Sequence, residues 1–296
     1  MKIAIAASWL TTWRVKVASI LCILQLWKIA ESRGRLQGER MGEQAANSGS
    51  DEAIVIIKAA PQVGKRHGET VCCAGLDLYG RWLRLYPVSF RHLEERQKFG
   101  RWDRIRFKWR RPPDDSRTES RRVDQQSLEV VGKLRHSERG KFLANAIVHS
   151  LAKEREEGRS LALLKPEVLE FRADKKTETE LAKEQSRFDV IRSQSDMFAK
   201  EVTPYHPCPY FFRYRYRTQD GLREGTCQDW EVEATFFKWS REYGEKKALA
   251  EICRVFGEEY PERGMLLAMG THSLYPDVWL VNGVIRLDQI QQGSLF

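Results

Sequence analysis

Asp229 and Glu231 flank Trp230, and two carboxylates held near arginines are what a metal-dependent nuclease or a general acid/base site needs. A spacing of two on a helix points them to different faces, and an Asp at a helix start is already accounted for by capping. His272 follows Gly270-Thr271 in a predicted hairpin loop, where it could contact a ligand. His206-x-Cys208 and Cys227-x-Asp229 could supply four metal ligands from two segments, but the close Cys pairs of zinc sites are missing, so ordinary buried thiols are the competing expectation. No nucleophile elbow or zinc-protease helix is present, and no cofactor is called for. The loop VGKRHGET offers Lys65, Arg66 and His67 to a phosphate or simply to solvent. It is not a Walker loop, because Lys65 precedes the second glycine and no helix follows Thr70.

Two alternations bear on nucleic acid. Along Arg104-Ile105-Arg106-Phe107-Lys108-Trp109-Arg110 the apolar residues share one face of a strand and Arg104, Arg106, Lys108 and Arg110 the other. Same-face residues lie about 6.6–7 Å apart, close to the phosphate repeat of an extended strand. Along Tyr210–Arg217, Tyr210, Phe212, Tyr214 and Tyr216 share one face, while Phe211, Arg213, Arg215 and Arg217 share the other. Aromatics stack on bases and arginines meet phosphates. Equally, aromatics fill cores and arginines are solvated.

These residues need elements to hold them. Ala53–Ala60 reads as a buried strand ended by Pro61; Thr70–Asp77 and Arg81–Val88 follow as a hairpin about Tyr79-Gly80. With the Arg104 strand and a return over Ser127–Leu134, five short strands in about eighty residues predict a small barrel or bent sheet. Lys141–Glu157 has the spacing of one amphipathic helix. Residues 173–200 read as a charged helix or linker between two halves. After it come the Tyr210 strand, a helix launched by the Thr226–Asp229 capping box, a helix over Glu245–Phe256, and a strand pair, Met265–Gly270 with Val278–Leu287. The expected class is α+β: residues 1–52 an extension, 53–172 β-rich and basic, 173–200 the linker or helix, 201–288 a second α+β half, and 289–296 a tail.

The 296-residue chain is 42% hydrophobic and 31% charged, which excludes fibrous and wholly disordered classes. Its net charge is +9; residues 1–40 hold seven Lys/Arg and two Glu, leaving +4 for the rest. Residues 81–122 carry fourteen Lys/Arg against six Asp/Glu, so the cationic character is concentrated there. That fits a local polyanion-binding face, or a solvated face paired with acidic neighbours. Arg14 and Lys16 interrupt the N-terminal apolar stretch, so no membrane span is expected. Val17–Trp27 has the length of a signal core without a cleavage site after it. A membrane-surface helix is another reading, and a start at Met41 is the preferred one, since the codons for Gly38-Glu39 can resemble a bacterial ribosome-binding sequence. Six cysteines without scaffold density suit a reducing cytoplasm.

The last five residues, Gln292-Gly293-Ser294-Leu295-Phe296, resemble the sliding-clamp-binding pentapeptide of bacterial replication and repair proteins. That resemblance implies that Leu295 and Phe296 fill a clamp pocket while Gln292 and Ser294 add polar contacts; Gly293 departs from the usual Leu. The strings KAAPQVGKRHGETVCCAGL, RWLRLYPV and CQDWE resemble a bacterial family with barrels of the PUA kind, which bind nucleic acid; the resemblance brings no activity with it. The expected role is therefore a DNA- or RNA-binding component of bacterial DNA transactions such as repair, replication or defence, recruited by the clamp. An enzyme acting on nucleic acid and a protein-interaction scaffold are the rival classes.

Overall fold

The computed structural model describes residues 47–64, 68–194, 205–272 and 275–288. Residues 1–46 of the expected extension, Lys65, Arg66 and His67, and the tail with Gln292, Ser294, Leu295 and Phe296 lie outside the described residues; residues 48–52, expected in the extension, belong instead to the first strand. Seven strands form the first sheet: β1 (Ser48–Lys58), β2 (Gln62–Gly64), β3 (Gly68–Leu76), β4 (Trp82–Val88), β5 (Asp103–Arg110), β6 (Ser120–Val123) and β7 (Glu129–Lys133). The order β1-β3-β4-β6-β5 closes because β5 also pairs with β1, making a five-stranded barrel; β2 extends β3 and β7 extends β5. All these pairings are antiparallel except β4 with β6.

Strict alternation puts Ile105, Phe107 and Trp109 inside the barrel, the first two wholly buried. β1 is apolar on both faces because both are covered. Ala53 and Val55 alternate with Ile54 and Ile56, which pack with Leu161, Leu163, Leu266, Ala268 and Ile285 of the second sheet. At Gly75, opposite Val55, a Cβ would run into the Ile54 carbonyl, so β1 and β3 approach as only glycine allows. The Tyr79-Gly80 hairpin turns through Gly80 at φ 80°, with Asp77 Oδ1 accepting from the Tyr79 and Arg81 amides.

The single helix expected over Lys141–Glu157 is instead two. α1 (His136–Ala144) stops, β8 (Ile147–Val148) pairs in parallel with β9 (Leu161–Leu164), and α2 (Leu151–Glu156) restarts. The β-branched pair finds a sheet edge, and Ser150 with Asp220 caps the new helix: Ser150 Oγ accepts from Lys153 N, and Asp220 Oδ2 accepts from Leu151 N. Within residues 173–200, β10 (Glu167–Lys175) ends and α3 (Glu178–Gln194) begins on a reciprocal Thr177/Glu180 box.

The second sheet runs β10-β11-β12-β14-β13-β9-β8, with β11 (Tyr210–Thr218), β12 (Gly221–Cys227), β13 (Met265–His272) and β14 (Tyr275–Arg286). α4 (Trp230–Tyr243) and α5 (Glu245–Arg254) pack on it, and the helix expected to Phe256 passes at Val255 into a π-turn and then α6 (Tyr260–Glu262). Arg84 of β4 links barrel to sheet, donating from Nη2 to the Ser160 carbonyl and hydroxyl at 3.0 Å. Among the described residues, no helix is long and apolar enough to cross a membrane.

Candidate nucleic-acid interface and the Asp229 junction

On the outer face of β5 the four expected cations divide into two kinds. The register sets Glu52 of β1 opposite Arg106, whose Nε and Nη2 donate to Glu52 Oε1 at 2.9 and 2.7 Å, while Arg104 lies 3.4 Å from Glu52 Oε2. Glu129 of β7 adds a 3.5 Å contact to Arg106. Farther along, the β1 residues opposite Lys108 and Arg110 are Ser50 and Ser48, which bring no charge. On the other side Arg122 of β6 stands directly opposite Arg110. Paired residues of antiparallel strands project to one face, so two arginines share it about 5 Å apart. Among the described residues, Lys108, Arg110 and Arg122 make no ion pair. The sequence reading did not single out Arg122, because only the pairing of β6 with β5 brings it to this face.

The second alternation serves the core on its aromatic side. Tyr210, Phe212, Tyr214 and Tyr216 are buried among Phe171, Phe236, Phe256 and Met265. Tyr214 donates to the Phe256 carbonyl at 3.0 Å, and burial holds its hydroxyl well above the usual tyrosine range. The outer side is a matched quilt: Arg213 meets Asp174 at 2.9 Å, and Arg217 meets Glu167 at 2.9 Å. Arg215 stands between Glu170 and Glu224 in the register.

Asp229 is the N-cap of α4, accepting from Glu231 N at 3.0 Å through Oδ1. Its Oδ2 accepts from Val284 N of β14 and from Arg101 Nη2, both at 2.7 Å, and the side chain is 1% exposed. Arg101 also donates to the Val284 carbonyl. The Ala59↔Asp229 bridge and the Ala60 N–H to Gln228 carbonyl bond, 2.8 Å, complete a joint between barrel and second sheet. The expectation that Asp229 and Glu231 point apart needs correction. Glu231 lies 3.4 Å from the same Arg101 Nη2, so one guanidinium from outside the helix gathers both carboxylates. Asp229 is occupied as a structural acceptor on both oxygens, whereas Glu231 stays half-exposed at the edge of a cleft. Burial first, then the Asp229 charge, raises the Glu231 carboxyl above its ordinary value against the pull of Arg101 and Lys58.

Lys58 shares this corner, its Nζ 3.9 Å from the Phe90 ring centre and 4.8 Å from that of Trp230, donating to the Phe99 carbonyl at 3.3 Å. Burial lowers its pKa. Neither Lys58 nor Arg101 carried a sequence signal beyond its charge, since their partners lie far along the chain.

His272, at the end of β13, is exposed, 5.8 Å between ring centres from Tyr275; partial burial and then the Arg117 and Arg84 charges lower its pKa. Cys208 and Cys227 are both buried in the second core, and His206 is exposed. Burial and the Glu233 charge push the Cys208 thiol up to about 12, and burial and Asp229 push Cys227 well above its ordinary range. Zinc needs thiolates, and among the described residues no three His, Cys, Asp or Glu side chains come together as a metal site. Cys208, just before β11, and Cys227, the last residue of β12, bury their thiols in an apolar core.

The class defined by this architecture is an α+β protein: a closed five-stranded barrel bearing an unbalanced cationic strand face, joined through Asp229 to a mixed seven-stranded sheet with helices. The chain belongs to the family described as Domain of unknown function (DUF8757), matched over residues 144–296; Domain of unknown function (DUF8758) matches residues 50–147. The two matches meet at residues 144–147, where α1 ends and β8 starts the second sheet. No curated protein matches the sequence. Among solved structures, a replication protein A heterotrimer bound to ssDNA is similar at 10% identity, over 82% of this chain and 67% of that one, with a TM-score of 0.21.

Proposed function

We propose that the protein binds nucleic acid along the outer face of β5 and β6, as a component of bacterial DNA transactions. The observation that carries this reading is the uncompensated group Lys108, Arg110 and Arg122, set beside Ser48 and Ser50 where Glu52 neutralises the other half of the row. Like charges opposed across two strands cost stability. On the outer face of β11, by contrast, Arg213 and Arg217 each meet a carboxylate. A polyanion supplies the missing counter-charge, and alternate residues on one strand match its repeat. The test is a salt titration of binding to single-stranded and duplex DNA and RNA, with and without magnesium. Salt-dependent affinity supports the reading, magnesium-dependent cleavage would move it to the enzyme class, and no binding at 50 mM salt would remove it.

Recruitment to the sliding clamp through Gln292, Ser294, Leu295 and Phe296 belongs to the same reading. Two large apolar side chains buried on a partner are worth about 3–6 kcal/mol before ordering costs, a transient affinity that a second contact on DNA would reinforce. Changing Leu295 and Phe296 to Ala should abolish binding to a purified bacterial clamp without moving the melting temperature; full-length protein that does not bind the clamp would dispose of this part.

A further inference from the structure

At the opposite end of β5, a cleft of about 460 Å³ opens between Arg101-Trp102, α1, the start of α4 and the end of β14. Four cations line it: Arg101, Lys133, Arg139 and Arg286. Three have carboxylate partners: Arg101 has Asp229 at 2.7 Å, Lys133 has Asp103 at 3.2 Å, and Arg286 has Asp288 at 2.7 Å. Arg139 makes no ion pair among the described residues; its guanidinium lies over the Trp102 ring, 4.6 Å from the centre.

Two further details point to a ligand. The Nε–H groups of Arg101 and Arg139 are both buried without an acceptor, as are those of Arg84, Arg104, Arg213 and Arg223 elsewhere; in this cleft the Arg101 side chain is only 8% exposed, its two Nη atoms already spent on Asp229, Glu231 and Val284. A buried guanidinium N–H left unmet costs free energy that an incoming acceptor would recover. Trp102 holds φ 74°, a left-handed conformation that bulky residues avoid, pinned by its N–H to the Val55 carbonyl and by Leu134 N–H to its own carbonyl, each at 2.8 Å. Asp288 on the facing wall has φ 45°. Strain of this kind is kept where surrounding structure over-determines it, commonly at ligand sites.

We propose that this cleft is a binding site for a phosphate monoester group, held by the guanidinium groups of Arg101 and Arg139. Phosphate presents several acceptor oxygens to planar donors on different walls, which a single carboxylate does not. The volume is large for a bare phosphate, so the group arrives on a larger body, a free nucleotide or the terminus of a nucleic-acid strand. Glu231 lines the same cleft, half-exposed and 3.4 Å from Arg101 Nη2. The site does not depend on the β5–β6 face, because Asp103 and Arg110 are seven residues apart on an extended strand, about 23 Å.

Calorimetric titration of the full chain with inorganic phosphate, AMP, adenosine, and 5′-phosphorylated and 5′-hydroxyl hexathymidylate tests this. Inorganic phosphate and AMP should bind saturably and adenosine should not. R139Q should weaken that binding at least tenfold, R139K should restore only part of it, and R110Q/R122Q should leave it unchanged. Binding confined to the 5′-phosphorylated oligonucleotide, and lost in R139Q, would name a strand terminus as the source. Should R139Q not fold, R139K carries the comparison. No binding of any phosphate-bearing probe to the wild-type chain, or full phosphate affinity in the Arg139 variants, overturns the proposal without touching the β5–β6 reading.

Discussion

Replacing Lys108, Arg110 and Arg122 by Gln in one variant removes the cations that the β5–β6 face leaves unpaired. If each meets one phosphate of a single strand, the slope of log affinity against log salt should become shallower by about 0.7 per contact, or about two for the three. The matched control is R104Q/R106Q, two cations on the same strand already engaged with Glu52 at 2.7–3.4 Å. It should change the slope by well under one. Glu52→Gln runs the opposite way: it frees Arg104 and leaves Arg106 only the 3.5 Å Glu129 contact, so the slope should steepen and affinity rise. Fluorescence anisotropy of a labelled oligonucleotide between 50 and 300 mM salt measures all four proteins, and thermal unfolding checks that each is folded. A triple variant with the wild-type slope would refute the argument. An R104Q/R106Q loss equal to that of the triple variant would mean that ion pairing does not decide which cations are used.

Three other perturbations probe the joint and the barrel. Asp229→Ala leaves the buried Arg101 only its 3.4 Å contact with Glu231 and leaves Val284 N–H without an acceptor, so urea unfolding should show a loss of about 3 kcal/mol; a loss below about 1 kcal/mol would count against the joint. Glu231 has its carboxyl raised in the folded state, so between the ordinary Glu value and that raised value the folded chain holds more protons than the unfolded one, and stability falls as pH rises through that window. Glu231→Gln should remove this fall, becoming progressively more stable than wild type from pH 4.5 upward, and parallel stability curves would contradict the assignment. Gly75→Ala forces a Cβ against the Ile54 carbonyl and should cost about 1–3 kcal/mol in thermal or urea unfolding, whereas an unchanged midpoint would show that β1 and β3 can separate freely.

Much of the local structure was legible because side-chain periodicity is a local property. The alternation from Arg104 to Arg110 specifies a strand with one buried face whatever it pairs with, and the same holds from Tyr210 to Arg217. Turn and cap chemistry located the Gly80 hairpin and the Asp229 helix start. Closely spaced short strands pointed to the barrel. The helix expected over 141–157 failed because helical spacing there coexists with a β-branched pair, and the choice was made by β9, an edge more than a dozen residues away. What each charged side chain does was beyond local reading altogether. Glu52 and Arg106 are 54 positions apart, and Arg101 and Asp229 128 apart. Whether a cation is spent on a carboxylate or left for a ligand depends on which strand lies beside it and in what register. The sequence by itself determined that four cations share one face of β5. Only the closing of the barrel decided that Arg104 and Arg106 meet Glu52 while Arg110 meets Arg122, because an ion pair needs contact within about 4 Å and closure sets those neighbours.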